Sequence, residues 1–546
     1  RLMCGIAGIL LNNSNKKLIE KFQKISGQLL HRGPDSSSFY KNSKNLFLHT
    51  RLSIIDLKGG KQPIINNDLI LVANGEIYND PEIRSTYKTY NFKTESDSES
   101  IMTLYHQEGV VGLEKLRGMY AFAIYDKKKD CTILGRDIFG IKPLYFSLIN
   151  DGIIFSSEIT PLINTKIIKK SISEEKLIEY FELQYTTGKK TIFKDIFRLR
   201  PGEILTIQNG KITNSKLQKL NLLKKKTHKI DNNFIEKKLE ESVSVHLRSD
   251  VPYCLFFSGG IDSSLLLSLF YNKIDHKSSI YYKDYGTEDE KQLAENIARS
   301  FKKPLELLGG KHEINYQFLR SKCASGLGTI VNEEQLKTGA TASPFTDNSK
   351  DNFKFNITGQ NADTLFHIDH FGPDNREMGF VRMIYILYFL HKRVYYSMPY
   401  YNQKWWLRFY PFSVPNKNYN RSIYDLLKST FSGVDEHVGP FEEEYIKTPE
   451  CISREEFQEF RKKIFFDPLS ELCEKKYVID INKESINKIN PYIVNHIVRL
   501  SRWFRSINNF STQFGNLSIF EQYNILMFFS EGPISSKLLN YRLHFK

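Results

Sequence analysis

Cysteine is scarce in this chain: six of 546 residues are cysteine, and no two of them form a CxxC pair. This scarcity argues against a disulfide framework, a zinc site built on paired cysteines, or a redox motif. Sparse cysteines in a long chain are typical of a reducing compartment. The sequence therefore predicts a cytoplasmic protein.

Long apolar runs are also missing. No uninterrupted run approaches the ~18 residues of a membrane-spanning helix, and no basic stretch followed by a signal-length apolar run opens the chain. The formal net charge is +15, from 77 basic and 62 acidic residues, but the basic residues are scattered along the chain. The composition suits anionic ligands and does not predict a nucleic-acid partner.

The first part of the chain is rich in short strand patterns separated by turn signals, which predicts sheets with few helices. The predicted strands are Leu46–Thr50, Leu69–Ala73, Ala121–Tyr125, Thr132–Arg136 and Gly152–Ser156. A helix is predicted at Ser98–Glu108. The polar, lysine-rich stretch Asn214–Asn232 has the composition of a linker. We therefore predict a first domain over 3–205, a linker over 206–232 and a second domain over 233–546.

After residue 232 strands and helices alternate, which predicts a parallel sheet. Strands are predicted at Tyr253–Phe257 and Ser279–Asp284, and helices at Phe234–Arg248, Ser263–Phe270 and Glu288–Phe301. The C-terminal part, rich in aromatic residues, is expected to be mainly helical. No internal repeat is visible.

One string between a predicted strand and a predicted helix has the pattern of a phosphate site: Ser258-Gly259-Gly260-Ile261-Asp262-Ser263-Ser264. Glycines let the backbone approach a phosphate closely, and the helix start offers free N–H groups to an anion. Serine hydroxyls add donors, and Asp262 could hold a magnesium ion. The alternative is an ordinary strand-to-helix turn. The string resembles the SGGxDSS loop of the ATP pyrophosphatases, which implies cleavage of ATP to AMP and pyrophosphate.

The start of the chain holds a candidate nucleophile. Removal of Met3 would leave Cys4 with a free α-amino group, whose pKa of ~7.7–8.0 suits a base acting on its own thiol. Arg1 and Leu2 precede Met3, and a chain that keeps them has no such amine. The alternative interpretation is a small residue buried in the first strand.

Further motifs follow Cys4 in order. They are His31-Arg32-Gly33-Pro34-Asp35, Arg51-Leu52-Ser53-Ile54-Ile55-Asp56, Asn74-Gly75-Glu76-Ile77-Tyr78-Asn79 and Ser96-Asp97-Ser98-Glu99. With Cys4 they resemble the class II glutamine amidotransferase domain. The resemblance implies an N-terminal-nucleophile fold, an αββα sandwich.

The resemblance also assigns roles. Cys4 would be the nucleophile, and the Asn74 side chain with the Gly75 N–H would form the oxyanion hole. Arg51 would pair with the α-carboxylate of glutamine. Asp97, with the Gly75–Glu76 segment, would hold its α-ammonium group. Taken singly, Arg51 also suits a surface ion pair, Asn74-Gly75 a hairpin turn and Asp97 a helix cap.

A class II glutaminase followed by an SGGxDSS domain resembles the glutamine-dependent asparagine synthetase family. The motifs Leu116–Ala123, Gly135–Asp137, Gly140–Tyr145, Ser156–Glu158 and Ser249–Tyr253 add to the likeness. The resemblance implies an αββα glutaminase followed by a doubly wound parallel-sheet ATP-pyrophosphatase domain with a helical C-terminal part. Its partners would be glutamine, ATP with Mg²⁺, and a carboxylate acceptor, with a homodimer left open.

The second loop departs from the family pattern. Thr358-Gly359-Gln360-Asn361-Ala362-Asp363-Thr364 stands where the family has SG(E/D)GxDE. By resemblance Gly359 would contact ATP and Asp363 would be the second metal ligand, whereas Gln360 replaces an acidic residue and cannot accept a proton. With Thr364 and His367 it would line the acceptor pocket. Lys537 is the candidate for the family's pyrophosphate-binding lysine.

These departures leave alternatives to asparagine synthesis. One is amidation of another acid, such as a uronic acid, and the other is a non-catalytic scaffold on a degenerate synthetase. His367, Asp369 and His370 could be metal ligands or polar residues of the acceptor pocket. The aromatic-rich segment 383–412 could be a membrane-surface element or a helical part of the core.

Overall fold

The computed structural model describes residues 4–176, 186, 188–218, 232–270, 279–283, 288–302, 305–308, 355–358 and 517–518. Within these residues the first region forms two six-stranded antiparallel sheets. The first sheet has the order β10-β8-β9-β1-β3-β2 and contains β1 (Gly5–Leu11), β2 (Ser36–Lys41), β3 (Asn45–Arg51), β8 (Tyr145–Ile149), β9 (Gly152–Ser156) and β10 (Phe197–Arg198). The second has the order β12-β11-β7-β6-β5-β4 and contains β4 (Ile64–Asn66), β5 (Leu69–Ile77), β6 (Gly118–Asp126), β7 (Cys131–Arg136), β11 (Glu203–Gln208) and β12 (Lys211–Leu217).

The two sheets face each other and helices cover their outer faces. Ile6 and Phe47 of the first sheet share one buried cluster with Val72 and Ala121 of the second. The helices of this region are α1 (Lys16–Gln23), α2 (Asp80–Thr86), α3 (Glu99–Gly112) and α4 (Ile159–Asn164). Helices α1 and α4 pack on the outer face of the first sheet, and α3 packs on that of the second. The predicted αββα sandwich is thus confirmed.

Burial on both faces explains the composition of the central strands. Every residue of β1, β3, β6 and β9 is buried. Accordingly β1, β6 and β9 are almost continuously apolar and do not alternate, whereas β3 also buries polar residues. All five strands predicted in this region lie within observed strands, and the predicted helix Ser98–Glu108 corresponds to α3. Such strands can be predicted from the sequence as uninterrupted apolar runs, because neither of their faces is exposed to solvent.

The predicted linker needs a correction. Residues 206–217 form most of the hairpin β11–β12, which pairs with β7 and completes the second sheet. Asn209 and Gly210 form its turn at φ values of 50° and 63°, which is the Asn-Gly hairpin signal. Strand β12 is a largely exposed edge strand, so its polar composition resembles a linker. Residues 219–231 lie outside the described residues.

The second region is a five-stranded parallel sheet of order β15-β14-β13-β16-β17, as predicted. Its strands are β13 (Tyr253–Phe256), β14 (Ser279–Lys283), β15 (Leu305–Leu308), β16 (Phe355–Thr358) and β17 (Leu517–Ser518). Its described helices are α5 (Asn232–His246), α6 (Ile261–Phe270) and α7 (Glu288–Ser300). Leu255 of β13 packs in one cluster with Leu239 of α5, Leu266 of α6 and Ala294 of α7.

The strand order reverses beside β13. The chain runs from β13 to β14 and β15 on one side and then returns to β16 on the other. In open parallel sheets ligands bind beyond the carboxyl ends of the strands at such a switch point. No helix in the described part of the chain is both long and apolar enough to cross a membrane.

Candidate functional site: the Cys4 pocket and the strand-loop-helix at Ser258

Cys4 lies immediately before β1 and is half-buried. Its thiol is 3.6 Å from the carbonyl oxygen of Leu52, whose own N–H points at the sulfur from 3.4 Å. Desolvation raises the pKa of Cys4, while the Leu52 N–H and the cations Arg51 and Lys142 lower it. The net rise leaves a thiol at neutral pH, so attack on a substrate needs a base. Residues 1–3, which decide whether Cys4 has a free amine, lie outside the described residues.

A buried ion pair fixes the backbone of Cys4. Arg32 donates from Nε to the Cys4 carbonyl oxygen at 3.1 Å and from Nη1 to Glu158 Oε1 at 2.9 Å. The Arg32 and Glu158 side chains are 5% and 4% exposed. His31 Nε2 lies 2.9 Å from the same Glu158 oxygen. No local signal in the sequence gives His31, Arg32 or Glu158 a role, because their contacts join chain segments that are remote in sequence.

Asn74 and Gly75 lie inside strand β5, not in a hairpin turn, so that alternative is wrong. Gly75 has a φ of 155°, and a Cβ there would be 2.0 Å from the Met119 carbonyl oxygen. Asn74 is 1% exposed, and its Nδ2 is a buried donor without a hydrogen-bond partner among the described residues. A buried unpaired donor is costly, and a ligand oxygen would satisfy it.

Backbone carbonyl groups orient Arg51. Its guanidinium donates to the carbonyl oxygens of Ile55 at 3.2 Å, Asp56 at 2.5 Å and Leu57 at 3.3 Å. Arg51 is 6% exposed and has no ion pair within the described part of the chain, so the surface ion-pair alternative is wrong. Neutral carbonyl partners leave the positive charge uncompensated, which suits a residue that must bind a carboxylate.

Glu76 and Asp97 form an acidic pocket at the end of β5. Asp97 Oδ2 accepts a hydrogen bond from the Ile77 N–H at 2.5 Å, while Ser98 takes the N-cap position of α3, so Asp97 is not the predicted alternative cap. Burial, then the charge of Asp97, raises the pKa of Glu76 to about 8. Burial raises the pKa of Asp97 to about 6, with Asp80 adding to the rise. A ligand cation would relieve this repulsion.

Lys142 joins the thiol to this acidic pocket. It is buried, and burial lowers its pKa to about 8, while the charge of Glu76 raises it. Its charge also lowers the pKa values of both Cys4 and Glu76. The fold therefore brings Cys4, Arg51, Glu76 and Asp97 to one place. Lys142 lies within the motif Gly140–Tyr145, yet a lysine two residues after a glycine turn carries no local sign of burial.

The Ser258 string connects β13 to α6 at the switch point of the parallel sheet. Gly259 has a φ of 76°, and a Cβ there would lie 3.0 Å from Cα of Ala294 on helix α7. Ser263 Oγ donates to the Gly260 carbonyl oxygen at 3.0 Å and lies 3.1 Å from Ser258 Oγ. The loop is thus held by its own serines, and the first turn of α6 carries Asp262.

The other predicted site residues follow strand β16 in the sequence. Strand β16 ends at Thr358, one residue before Gly359, so the second loop follows a strand adjacent to β13. The remaining members lie outside the described residues: Gly359, Gln360, Asp363, Thr364, His367, Asp369, His370, segment 383–412 and Lys537. Among the described residues no group of three or more His, Cys, Asp or Glu side chains could hold a metal ion.

Comparison with known proteins agrees with this arrangement. Residues 3–218 match the model of the glutamine amidotransferase domain, and residues 235–317 match that of asparagine synthase. These two regions, in this order, are similar to the glutamine-dependent asparagine synthetases. The resemblance expected from the sequence motifs is thereby confirmed.

Three relatives illustrate the similarity. Asparagine synthetase [glutamine-hydrolyzing] 1 of Bacillus subtilis is 35% identical over 278 residues, which is 49% of this chain and 44% of the relative. Asparagine synthetase B of Escherichia coli is 35% identical over 272 residues, with 49% and 44% covered. A putative asparagine synthetase of Methanocaldococcus jannaschii is 33% identical, with 55% and 63% covered. The match thus spans about half the length of such relatives.

A solved structure of the glutamine phosphoribosylpyrophosphate amidotransferase of B. subtilis also matches. It is 16% identical, with 61% of this chain and 70% of that chain covered and a TM-score of 0.29. An overlap at that level supports no argument about fold or activity. The αββα assignment rests on the sheets and helices described above.

Proposed function

We propose that this chain is a glutamine-dependent amidotransferase that makes asparagine from aspartate, glutamine and ATP. The buried Asn74 amide nitrogen, without a partner among the described residues, is the observation that carries the glutaminase half. It lies on β5 beside Gly75 and two residues before Glu76. Asn74 and Gly75 would receive the substrate's developing oxyanion, while Arg51 binds its α-carboxylate and Glu76 and Asp97 its ammonium group.

In the first half, the Cys4 sulfur forms a bond to the side-chain amide carbon of glutamine. The thiol proton passes through the base to the departing nitrogen, so the C–N bond breaks and ammonia leaves. The α-amine of Cys4 is that base once residues 1–3 are removed. Water then cleaves the thioester, which releases glutamate and restores the thiol.

In the second half, a carboxylate oxygen of the acceptor attacks the α-phosphorus of ATP, and pyrophosphate leaves. Ammonia then attacks the acyl carbon and AMP leaves, which forms the amide. Ser258, Gly259, Gly260, Ser263 and Ser264 would contact the phosphates. Asp262 and Asp363 would hold Mg²⁺, which would neutralise charge on the leaving pyrophosphate. The carboxylate of Asp262, in the first turn of α6, supplies the oxygen ligand that this ion prefers.

Aspartate is the proposed acceptor because the three relatives described above carry the name asparagine synthetase. Gln360 in place of the family's acidic residue is the reason to test a uronic acid beside it. Lys537, Thr364 and His367 complete the proposed synthetase site. A homodimer and a cytoplasmic location belong to the same proposal.

One assay tests both halves. The chain is incubated with glutamine, ATP, Mg²⁺ and either aspartate or a uronic acid, and glutamate, AMP, pyrophosphate and the product mass are measured. We expect glutamate, AMP and asparagine in equal amounts. Formation of ADP and phosphate would contradict the assignment of the Ser258 string. If only the uronic acid is amidated, the acceptor is the uronic acid and not aspartate. Absence of turnover with properly trimmed Cys4 would favour the scaffold.

A further inference from the structure

Residues 246–250 comprise the last residue of helix α5 and the four residues after it, and we call them the docking segment. The docking segment contacts two parts of the chain that border the Cys4 pocket. The Asp250 N–H donates to the Ile54 carbonyl oxygen at 3.0 Å. Asp250 Oδ2 accepts from the Asp56 N–H at 2.7 Å. One donor and one acceptor on the same residue therefore fix the 54–56 loop against the second region.

That loop is the one that orients Arg51, since the carbonyl groups of residues 55–57 receive its guanidinium. Asp56 has a φ of 52°, and its carboxylate accepts from the N–H groups of Gly59 at 2.8 Å and Glu95 at 3.0 Å. Glu95 is two residues from Asp97. A shift of Asp56 would therefore move the partners of Arg51 and the approach to Asp97 together.

The other end of the docking segment contacts Tyr78, which follows β5, and Asp80, the first residue of α2. Arg248 donates to the fully buried carboxylate of Asp80, which also accepts from Arg84 Nε at 2.8 Å and Ser100 Oγ at 2.7 Å. His246 Nδ1 lies 3.0 Å from the Ser242 carbonyl oxygen and must donate to it. Burial lowers the pKa of His246, so the ring is neutral and Nε2 accepts from the Tyr78 hydroxyl at 3.3 Å.

We propose that Asp250 and Arg248 are positioning residues for glutamine. Asp250 acts through the loop that orients Arg51, and Arg248 acts through Asp80 and the strand end that carries Glu76. The inference rests on the proposed function, in which this pocket binds glutamine. The glutamine pocket is then completed by residues that lie outside the sandwich, on the segment that leads into β13.

The test separates substrate binding from chemistry. In Asp250→Ala the Asp56 N–H loses its acceptor, and one hydrogen bond corresponds to a rise of about 3- to 10-fold in the KM for glutamine. The kcat should stay within about twofold, because Cys4, Asn74 and Gly75 are untouched. Calorimetry of glutamine binding in the Cys4→Ala background should show the same change in Kd. Arg248→Gln should also raise the KM for glutamine. This second variant tests the inference if Asp250→Ala folds poorly.

Three comparisons make the result specific. Asp250→Asn keeps an acceptor oxygen and should restore most of the affinity, whereas Glu240→Ala, exposed on α5, should change nothing. Asp250→Ala combined with Arg51→Lys should be little worse than Arg51→Lys alone, since both act on one contact. Fully additive effects would overturn the route through Arg51.

The outcomes separate the two proposals. If Cys4→Ala abolishes glutamine hydrolysis and Arg51→Lys raises KM, but neither Asp250→Ala nor Arg248→Gln changes KM or Kd, the inference is wrong and the proposed function stands. A lower kcat with unchanged KM in Asp250→Ala would also refute it. If Cys4→Ala still hydrolyses glutamine, the proposed function itself fails.

Discussion

The two candidate sites are built in opposite ways. The nucleotide site is local in sequence: one seven-residue string between β13 and α6 supplies the glycines, hydroxyls and carboxylate, and its own serines hold it. The Cys4 pocket draws side chains from strands and loops spread over the whole sandwich. Buried charges hold those side chains in place, notably Arg32 with Glu158 and Arg51 with three carbonyl groups.

This difference determines how each site should fail. A local loop depends on its own residues and on a helix N-terminus, so distant substitutions should leave it intact. A pocket assembled from remote segments depends on packing and on pairs of buried charges, so substitutions that never touch the ligand should damage it. The following predictions test that contrast, beginning with the largest effect.

Cys4→Ala should lower glutamine hydrolysis by at least about 10⁴-fold, because no other group replaces the nucleophile. Synthesis from added ammonium salts, with ATP, should persist, since the second region does not use the thiol. Glutamate release and AMP formation are measured side by side on the same preparation. Loss of ammonium-dependent AMP formation in a folded variant would break the separation of the two sites.

Glu158→Ala should destabilise the sandwich by about 3–5 kcal/mol, because it leaves Arg32 buried without its carboxylate. Glutaminase activity should fall with it, since Arg32 holds the Cys4 carbonyl group. Denaturant unfolding gives the free energy, and Glu236→Ala, exposed on α5, serves as the control. An unchanged unfolding midpoint would show that the pocket does not depend on this pair.

Asp262→Asn should lower ATP cleavage by about 10²-fold or more, because the proposed function would lose one of the carboxylates that hold Mg²⁺ where charge develops. Glutamine hydrolysis should remain, since the residue lies in the local loop of the other region. AMP and pyrophosphate are measured against a matched substitution, Asp151→Asn, at an exposed turn. Equal losses of both activities would mean that the regions are not independent.

Between about pH 8 and pH 6 the KM for glutamine should rise by up to about tenfold for each unit that the pH falls. Glu76, whose pKa is raised to about 8, and Asp97, at about 6, must be ionised to hold the substrate's ammonium group. Below these values binding must first remove a proton. Asp80 adds negative charge nearby, while Arg248 and Lys142 favour ionisation.

The measurement is a KM profile from pH 6 to 8.5 at constant ionic strength, with Glu76→Gln as the comparison. Glu76→Gln should weaken binding and remove the step near pH 8. A KM that stays level across this range would show that the acidic pocket does not bind the ammonium group. The effect is the smallest of the four because it changes one proton and removes no side chain.

The sequence predicts those parts of the fold and of the candidate sites that depend on residues close together in the chain. The strands buried on both faces show as apolar runs, and the Ser258 string carries its own chemistry. The hairpin β11–β12 was missed because a polar edge strand has the composition of a linker, although Asn209-Gly210 signals its turn. Arg32, Glu158 and Lys142 lie within recognisable motifs, but their roles depend on contacts between segments that are distant in sequence.

The sequence alone predicts the order of the two regions, a candidate nucleophile and a candidate nucleotide loop, because each of these depends on neighbouring residues. Tertiary structure decided the rest: which carbonyl groups orient Arg51, which carboxylates crowd Glu76, and that residues 246–250 reach the pocket. The physical reason is that desolvation and charge coupling depend on what packs around a group. Those neighbours come from distant parts of the chain, so only the folded protein brings them together.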